Sequence, residues 1–400
     1  MRRAPPMVVA VVATLAMTVS YLDRQTLSAI APTVRSELGI SHTELGWLGS
    51  GFAFAYLVGS PIAGRLVDRI GPRSALAAAF VGWSLVSALH ALASSFAALF
   101  VLRVLLGALE SPSFPAAART IHTNVPPSRR SAATGLLFTG SSIGAMIAAP
   151  LATHLTHAYG FRTTFVLTAA IGCAWLPLWL IVAPSDEDTG PASAAPPIPA
   201  REVLGHRAFL RQTFVVLGSA PAILVVLSWY PQLLHETCGV PKHAVGHYLW
   251  VPPLAFDVAA IAFGIAASRR DRTAPTKDHA HHDLLALAAL ATSTLVLVPF
   301  VATPWAKVAL GSVSLAGGAG MYVVGTADLL RRIDPRAAAL AGGLSAAVQS
   351  IVHVTANPAF GAVVDRTHTW GAVTAVGLAA VPCAALWSLL ARSPTPAQDR

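Results

Sequence analysis

Five ionisable side chains stand inside long apolar runs of this chain: Asp23 and Arg24, Arg103 and Glu110, and Asp257. An ionisable group placed in hydrocarbon costs at least about 2.5 kcal/mol, and such groups mark functional positions by default. Arg103, Gly107, Glu110 and Phe114 recur at i, i+4, i+7 and i+11, so a helix carries them on one face. Gly107 leaves room between the two charges for another backbone or a ligand. Arg103 and Glu110 lie two turns apart, roughly 10 Å along a helix axis. They are too far apart to pair within one straight helix, which leaves each for a neighbour, and Asp23–Arg24 is the natural counterpart.

The chemistry open to these residues is the joint handling of an anion and a proton. A guanidinium stays charged at every relevant pH and grips a carboxylate through two parallel hydrogen bonds. A carboxyl group is pulled towards its neutral form by burial and towards its charged form by an adjacent arginine. Such a group can take up or lose a proton as an anion arrives or leaves. Arg24 and Arg103 are therefore candidate holders of a substrate carboxylate, and Asp23 and Glu110 candidate proton carriers. The same four charges also fit a purely structural ion-pair network that locks the first and fourth helices. Tyr56 lies among Gly51, Gly59 and Ser60 and is expected to face a cavity. Tyr56, Gln349 and Asn357 are candidate substrate contacts, with His353 a weaker one. Each also fits a helix–helix hydrogen bond.

Enzyme chemistry finds no support. No nucleophile–base pair and no metal-ligand spacing falls at a common depth, so no cofactor is expected. Cys173, Cys238 and Cys383 are far apart and imply neither a disulfide framework nor a metal site. Cys173 and Cys383 read as small core residues. His279, His281 and His282 lie beside Lys277 and Asp278 and read as a solvated loop. His90, His154, His157, His206 and His235 are placed in or near loops.

The elements that must position these residues are membrane spans. Charged residues make up 11% of the sequence and hydrophobic ones 54%, against about 25% charged in a soluble domain. The mean hydropathy is +0.62. The apolar stretches, each near the ~20 residues needed to cross a bilayer, predict spans over 8–32, 44–67, 74–92, 96–120, 131–154 and 163–183. A second set follows over 208–233, 243–267, 284–301, 305–330, 337–364 and 371–390. The predicted fold class is an all-α integral membrane protein of twelve transmembrane helices in two six-helix pseudo-symmetric bundles, 1–183 and 208–400. Between them lies a Pro/Ala/Ser-rich segment, 184–207, whose composition reads as a flexible cytoplasmic linker.

Charge placement tests this topology. With the N-terminus in the cytoplasm, 20 of the 27 Lys and Arg residues fall at cytoplasmic segments and span ends and five at external ones. The remaining two are Arg24 and Arg103. The asymmetry follows the positive-inside rule and accounts for most of the +9 formal charge without a nucleic-acid partner. Both termini are expected in the cytoplasm, and the partners expected are a lipid bilayer, protons and a small organic anion.

The segment after the second span reads Gly64-Arg-Leu-Val-Asp68-Arg69-Ile-Gly71-Pro72-Arg73. It resembles the signature loop of the major facilitator superfamily, G-x-L-x-D-R-x-G-R-[RK], departing from it at Pro72. Glycines 64 and 71 would permit close packing and a turn, and Asp68 would accept from a neighbouring helix. The resemblance implies gating roles for Gly64, Asp68, Arg69, Gly71 and Arg73. The matching loop after the eighth span has Ser268 where an aspartate might stand, which implies a weaker second latch. Arg103-Val-Leu-Leu-Gly107 resembles the superfamily's fourth-helix R-x-x-x-G element. Tyr21-Leu-Asp23-Arg24, taken with Arg103 and Glu110-Ser-Pro-Ser-Phe-Pro115, is similar to the anion:cation symporter family, whose members carry sugar acids and other organic anions. That resemblance implies proton coupling through Asp23 and Glu110 and substrate contact through Arg24, Arg103 and Tyr56. Trp229-Tyr-Pro231 and Trp250-Val-Pro252 with Asp257 look closest to hexuronate carriers. The implied protein is a monomeric proton symporter of a bacterial inner membrane.

A drug/proton antiporter is the first rival. Its fifth-helix pattern G-x-x-x-x-G-P-x-x-G-G is matched by Gly135, Gly140, Gly144 and Ala145, but Ser141 replaces the proline. Buried arginines also repel a cationic drug. Other mono- or dicarboxylate carriers, an exchanger, a channel and a transporter-like receptor fit the sequence as well.

Overall fold

The computed structural model describes residues 5–186, 199–273 and 281–392. Among these residues there is no β-strand. The N- and C-terminal basic residues Arg2, Arg3 and Arg400, the middle of the expected linker, and Lys277, Asp278 and His279 lie outside the described residues.

The apolar helices long enough to cross a membrane run over Pro6–Ala29, His42–Ile70, Pro72–Leu92, Phe96–Asn124, Pro127–Val182, Arg207–Cys238, Gly246–Arg270, His282–Phe300, Pro304–Arg332, Leu340–Thr367 and Gly371–Ala391. Pro127–Val182 is 56 residues long, about 84 Å at the helical rise and far more than a ~30 Å hydrocarbon core. It is two spans. Gly160 breaks it at φ 82°, ψ 160°, a left-handed conformation that side-chain-bearing residues avoid. Counted this way, the described residues carry the expected twelve. They are called spans one to twelve below. Several extend two to five residues beyond the expected limits, because a helix continues past the hydrocarbon until a cap ends it. Span two, for example, starts at Ser41, whose hydroxyl accepts from Glu44 N while Glu44 accepts from Ser41 N. This capping box satisfies two orphan donors.

Large apolar side chains face outwards along the spans, among them Phe54, Ile62, Leu85, Ile181, Val258 and Phe300. In water so much exposed apolar surface would aggregate. In a bilayer it is the solvent-matched surface. Cys173 belongs to this surface: it is exposed, and Cys383 is half-buried, which corrects their reading as core residues.

The chain divides into two compact units. The first comprises 1–195, 227–253 and 354–368, and the second 196–226, 254–353 and 369–400. The boundaries within spans fall where helices are weakest. Span seven passes through a π-helical segment at Val225–Trp229 just after Pro221. Span eight carries Pro252 and Pro253, and span eleven carries Pro358. Proline removes a ladder hydrogen bond, and π-segments mark local strain.

In the first unit, spans one, three, four and six meet in an aromatic core. Phe80 lies between Trp83 and Trp175 at 4.7 and 4.6 Å. Trp175 Nε1 donates to Val12 O and Trp179 Nε1 to Arg73 O, so both indoles are buried with partners. In the second unit, Arg211 on span seven pairs with Asp328 on span ten at 2.9 Å and stacks over Trp387 at 4.1 Å. Arg332 joins the same carboxylate at 2.9 Å. His281 is buried, and the His282 ring packs edge-on against Trp387. These two histidines therefore do not form the solvated loop expected of them: His281 is buried, and the aromatic surface of span twelve recruits His282. The expected linker is ordered at both described ends: Asp186 contacts span three, and Ala200–Leu204 is a short helix with Val203 buried.

Candidate functional site

Spans one to four of the first unit bring all four expected charges together. The placement follows from close packing. Gly107 on span four lies so near span two that a Cβ there would collide with the Phe52 carbonyl oxygen. The glycine face therefore makes room for another backbone. Gly107→Val should force spans two and four apart and cost about 1–3 kcal/mol, read as a drop of several degrees in the melting temperature of the purified protein. Gly64 supplies the control. Nothing lies within 4 Å of a Cβ built there, so Gly64→Ala in this helix interior should leave that temperature no lower and raise it slightly. The expected close packing at Gly64 is absent, since that side of span two faces open space.

Within the cluster, Arg24 and Glu110 form the pair. Arg24 Nη2 and Nε reach Glu110 Oε1 at 2.6 and 3.2 Å. Ser20, one helical turn before Arg24, donates to the same oxygen. The Arg24 guanidinium is held against three rings: Tyr21 at 4.6 Å, Phe52 at 4.9 Å and Tyr56 at 4.9 Å from their centroids. Cation–π attraction of this kind strengthens as water is removed. Tyr56 is thus a wall of the arginine cage.

Arg103 is placed differently. It is 3% exposed, and among the described residues its Nε and Nη2 have no hydrogen-bond partner. It interacts electrostatically with Glu110, Asp23 and Arg24. Nε and Nη2 form one edge of the guanidinium, the edge a carboxylate engages side-on. Arg24 uses this same edge on Glu110. Asp23 is 2% exposed, and its Oδ1 accepts from Ser87 Oγ at 3.3 Å. Asp23 Oδ2 and Glu110 Oε2 also lack partners among the described residues. Buried polar atoms are nearly always satisfied, and those that are not call for an explanation. Here an open cationic edge and two open carboxylate oxygens share one buried cluster. Such a cluster can accept an anion at Arg103 and a proton at a carboxylate.

Several participants have little sequence signal of their own. Ser20 and Phe52 are ordinary span residues until the fold sets them beside Arg24. His90 is buried at the end of span three. Its Nδ1 donates to Val86 O at 2.7 Å, its ring packs on Phe165, and its Nε2 has no partner among the described residues. Span three ends at Leu92, as expected, so His90 lies near a loop as read from the sequence.

The other expected site residues lie elsewhere. Asn357 belongs to the part of span eleven that lies in the first unit. Its Oδ1 accepts from Trp229 Nε1 at 3.0 Å, and its backbone carbonyl packs so closely on Gly46 that a Cβ there would clash. Gln349, His353 and Asp257 are half-buried in the second unit. At the opposite end of span two from Ser41, Asp68 forms an ion pair with Arg119 of span four, the acceptor role expected of it. Gly71 has φ 86°, and a Cβ there would strike the Asp186 carboxylate. That carboxylate accepts from Arg73 N at 2.8 Å and Ser74 N at 3.0 Å, which caps span three. The Arg73 guanidinium donates to Leu180 O at 2.6 Å. Arg69 is exposed.

Known proteins share this build. A hexuronate transporter of Bacillus subtilis (strain 168) is 26% identical over 89% of this chain and 87% of its own length. A hexuronate transporter of Escherichia coli (strain K12) is 28% identical over 63% of this chain and 62% of its own length. A bacterial homolog of the human lysosomal transporter Spinster, solved inward-facing and unoccupied, superposes with a TM-score of 0.75 at 17% identity. That superposition covers 96% of this chain and 95% of the other. The sequence profile described as Major Facilitator Superfamily matches residues 13–356. Twelve spans, the Gly64–Arg73 segment with its Asp68–Arg119 pair, and a profile match over most of the length agree: this chain is a membrane transporter, not an enzyme, and belongs to the Major Facilitator Superfamily.

Proposed function

We propose that this chain is a proton-coupled symporter that takes up an organic anion, specifically a sugar acid such as a hexuronate, by alternating access. The observation that carries this reading is the open Nε/Nη2 edge of Arg103, buried among carboxylates. A buried arginine edge with no partner is complementary to a carboxylate that arrives from outside. The relatives named as hexuronate transporters support the choice of sugar acid. The open cationic edge of Arg103 favours an anion over a cationic drug.

The Arg24–Glu110 pair suggests how a proton enters the cycle. While Glu110 is ionised it occupies Arg24. Once protonated it releases most of its hold, and Arg24 can turn to the substrate carboxylate beside Arg103. Asp23, with one open oxygen, serves as the second proton carrier. Tyr56 and Asn357 of the first unit, and Gln349 of the second, are the further candidate substrate contacts in this reading. Gly64, Asp68, Arg69, Gly71 and Arg73 gate the cytoplasmic face, where the Asp68–Arg119 pair and the Asp186 cap hold the loop. The two bundles, 1–183 and 208–400, are the halves of a monomer in a bacterial inner membrane, and both termini face the cytoplasm.

The test is uptake into proteoliposomes. D-glucuronate, D-galacturonate and D-galactonate are first offered to the purified protein. A ligand at 100 times its Kd should stabilise the native state by about 2.7 kcal/mol. The ligand that binds should then accumulate when the outside is made acid, and a protonophore should abolish the accumulation. A protein that no organic anion stabilises, or uptake indifferent to the protonophore, would overturn the reading.

A further inference from the structure

Span three carries a buried polar stripe that the charge cluster does not exhaust. Trp83, Ser87 and His90 recur at i, i+4 and i+7, so one face of a helix presents them. Ser87 Oγ donates to Asp23 Oδ1 at 3.3 Å, and the Trp83 indole interacts with the same carboxylate. The stripe therefore meets span one at Asp23. His90 follows about one turn beyond Ser87. Its side chain is fully buried, its ring packs on Phe165 of span six with centroids 5.1 Å apart, and it feels the charge of the Arg103 guanidinium on span four. All of these residues belong to the first unit.

The hydrogen bonding of the ring fixes what it can offer. His90 Nδ1 lies 2.7 Å from Val86 O. A carbonyl oxygen only accepts, so Nδ1 carries the proton. The neutral ring then holds its lone pair at Nε2, which has no partner among the described residues. A buried acceptor left open is costly and calls for an explanation. Arg103 is not that partner, since its Nε and Nη2 are open as well. Two unmet groups of complementary kind therefore stand in one buried cluster. One is a cationic edge that takes a carboxylate, and the other is a neutral lone pair that takes a donor. Trp83 Nε1 and Ser84 Oγ are also open, but they precede His90 by about two turns, on the Asp23 side of the stripe.

One small molecule can meet both groups. Whatever lies at Nε2 must donate, and an ionised carboxylate only accepts. An ammonium donates, but the guanidinium beside it repels a second cation where water is excluded. A hydroxyl donates and carries no charge. We propose that His90 Nε2 accepts a hydrogen bond from the substrate hydroxyl nearest the carboxylate held by Arg103, so that the preferred cargo is a hydroxy acid rather than a plain carboxylic acid or an amino acid. This inference rests on the anion reading of Arg103 given above and names the second group that the same site reads. His90 is thus a specificity-determining residue, and its role needs no change of protonation.

Equilibrium binding to the purified full chain tests this. D-glucuronate, D-galacturonate and D-galactonate are each compared with the analogue in which fluorine replaces the hydroxyl nearest the carboxylate. Fluorine is similar in size and does not donate. The parent should bind the fluoro analogue of its ligand about tenfold more weakly or worse, the loss expected when a buried acceptor is denied its donor. His90→Phe keeps a ring against Phe165 and has no lone pair. It should bind the acid more weakly than the parent does and the analogue no more weakly, so that the two Kd values converge. His90→Gln places an amide oxygen at a similar reach and should regain a preference for the acid. Equal weakening of acid and analogue in His90→Phe would mark a packing role and overturn the hydroxyl contact. If the variants fail to fold, the ratio in the parent decides. A parent that binds an acid and its fluoro analogue equally overturns the contact and leaves the anion reading of Arg103 standing. A parent that binds none of the three acids overturns both.

Discussion

Arg103→Ala should remove substrate binding and spare the fold. The guanidinium edge of Arg103 has no partner of its own, so the fold does not depend on a hydrogen bond from it. Truncating one partner of a desolvated charge pair costs about 2–5 kcal/mol. At tenfold per 1.4 kcal/mol, Kd should rise by roughly 30- to 4,000-fold. The signature is a purified variant whose melting temperature without ligand matches the parent's and whose ligand-induced shift is gone. Arg103→Lys should recover little, because an ammonium is a point charge and cannot present two parallel donors. Retained tight anion binding in Arg103→Ala would remove this residue from the site. A variant that fails to fold would instead favour the structural ion-pair reading of the cluster.

Glu110→Gln should separate exchange from accumulation. The amide keeps an acceptor for Ser20 and Arg24 in nearly the same volume, but it cannot ionise. Arg24 then faces a weak partner in every state and stays available to the anion. In proteoliposomes loaded with unlabelled substrate, labelled substrate should still exchange across the membrane. Net accumulation against a pH difference should vanish. The parent should concentrate substrate about tenfold per pH unit for each proton carried with a monovalent anion, since one unit is worth about 1.4 kcal/mol. The variant should stop at a ratio of one. If Glu110→Gln accumulates substrate like the parent, coupling lies elsewhere, with Asp23 the next candidate. Ser20→Ala offers a milder version. It removes one donor to the same Glu110 oxygen and should shift the pH dependence of uptake without abolishing it.

These outcomes, with the Gly107 test, examine different links of one cluster: Gly107 tests packing, Arg103 recognition and Glu110 coupling.

Much of this was legible in the residues because the bilayer is a simple solvent. It selects apolar stretches of a given length, so the residues alone count twelve spans. The same solvent makes charges inside spans expensive, so Asp23, Arg24, Arg103 and Glu110 stood out. Helical periodicity alone put Arg103, Gly107 and Glu110 on one face. The Gly71 turn was legible too, since few other residues tolerate its φ of 86°. What periodicity cannot say is which partner each face meets. Arg24 rather than Arg103 takes Glu110, three aromatic rings from two spans cage it, and Arg103 keeps an open edge. Each depends on how spans one, two and four pack. His281 and His282 read as a loop, yet His281 is buried and His282 packs against span twelve. His42, Glu236 and Asp365 each look unremarkable in sequence at the end of a span. Only the tertiary fold sets two carboxylates on opposite sides of one ring, because hydrogen bonds of under 3 Å join chain segments that local pattern cannot relate.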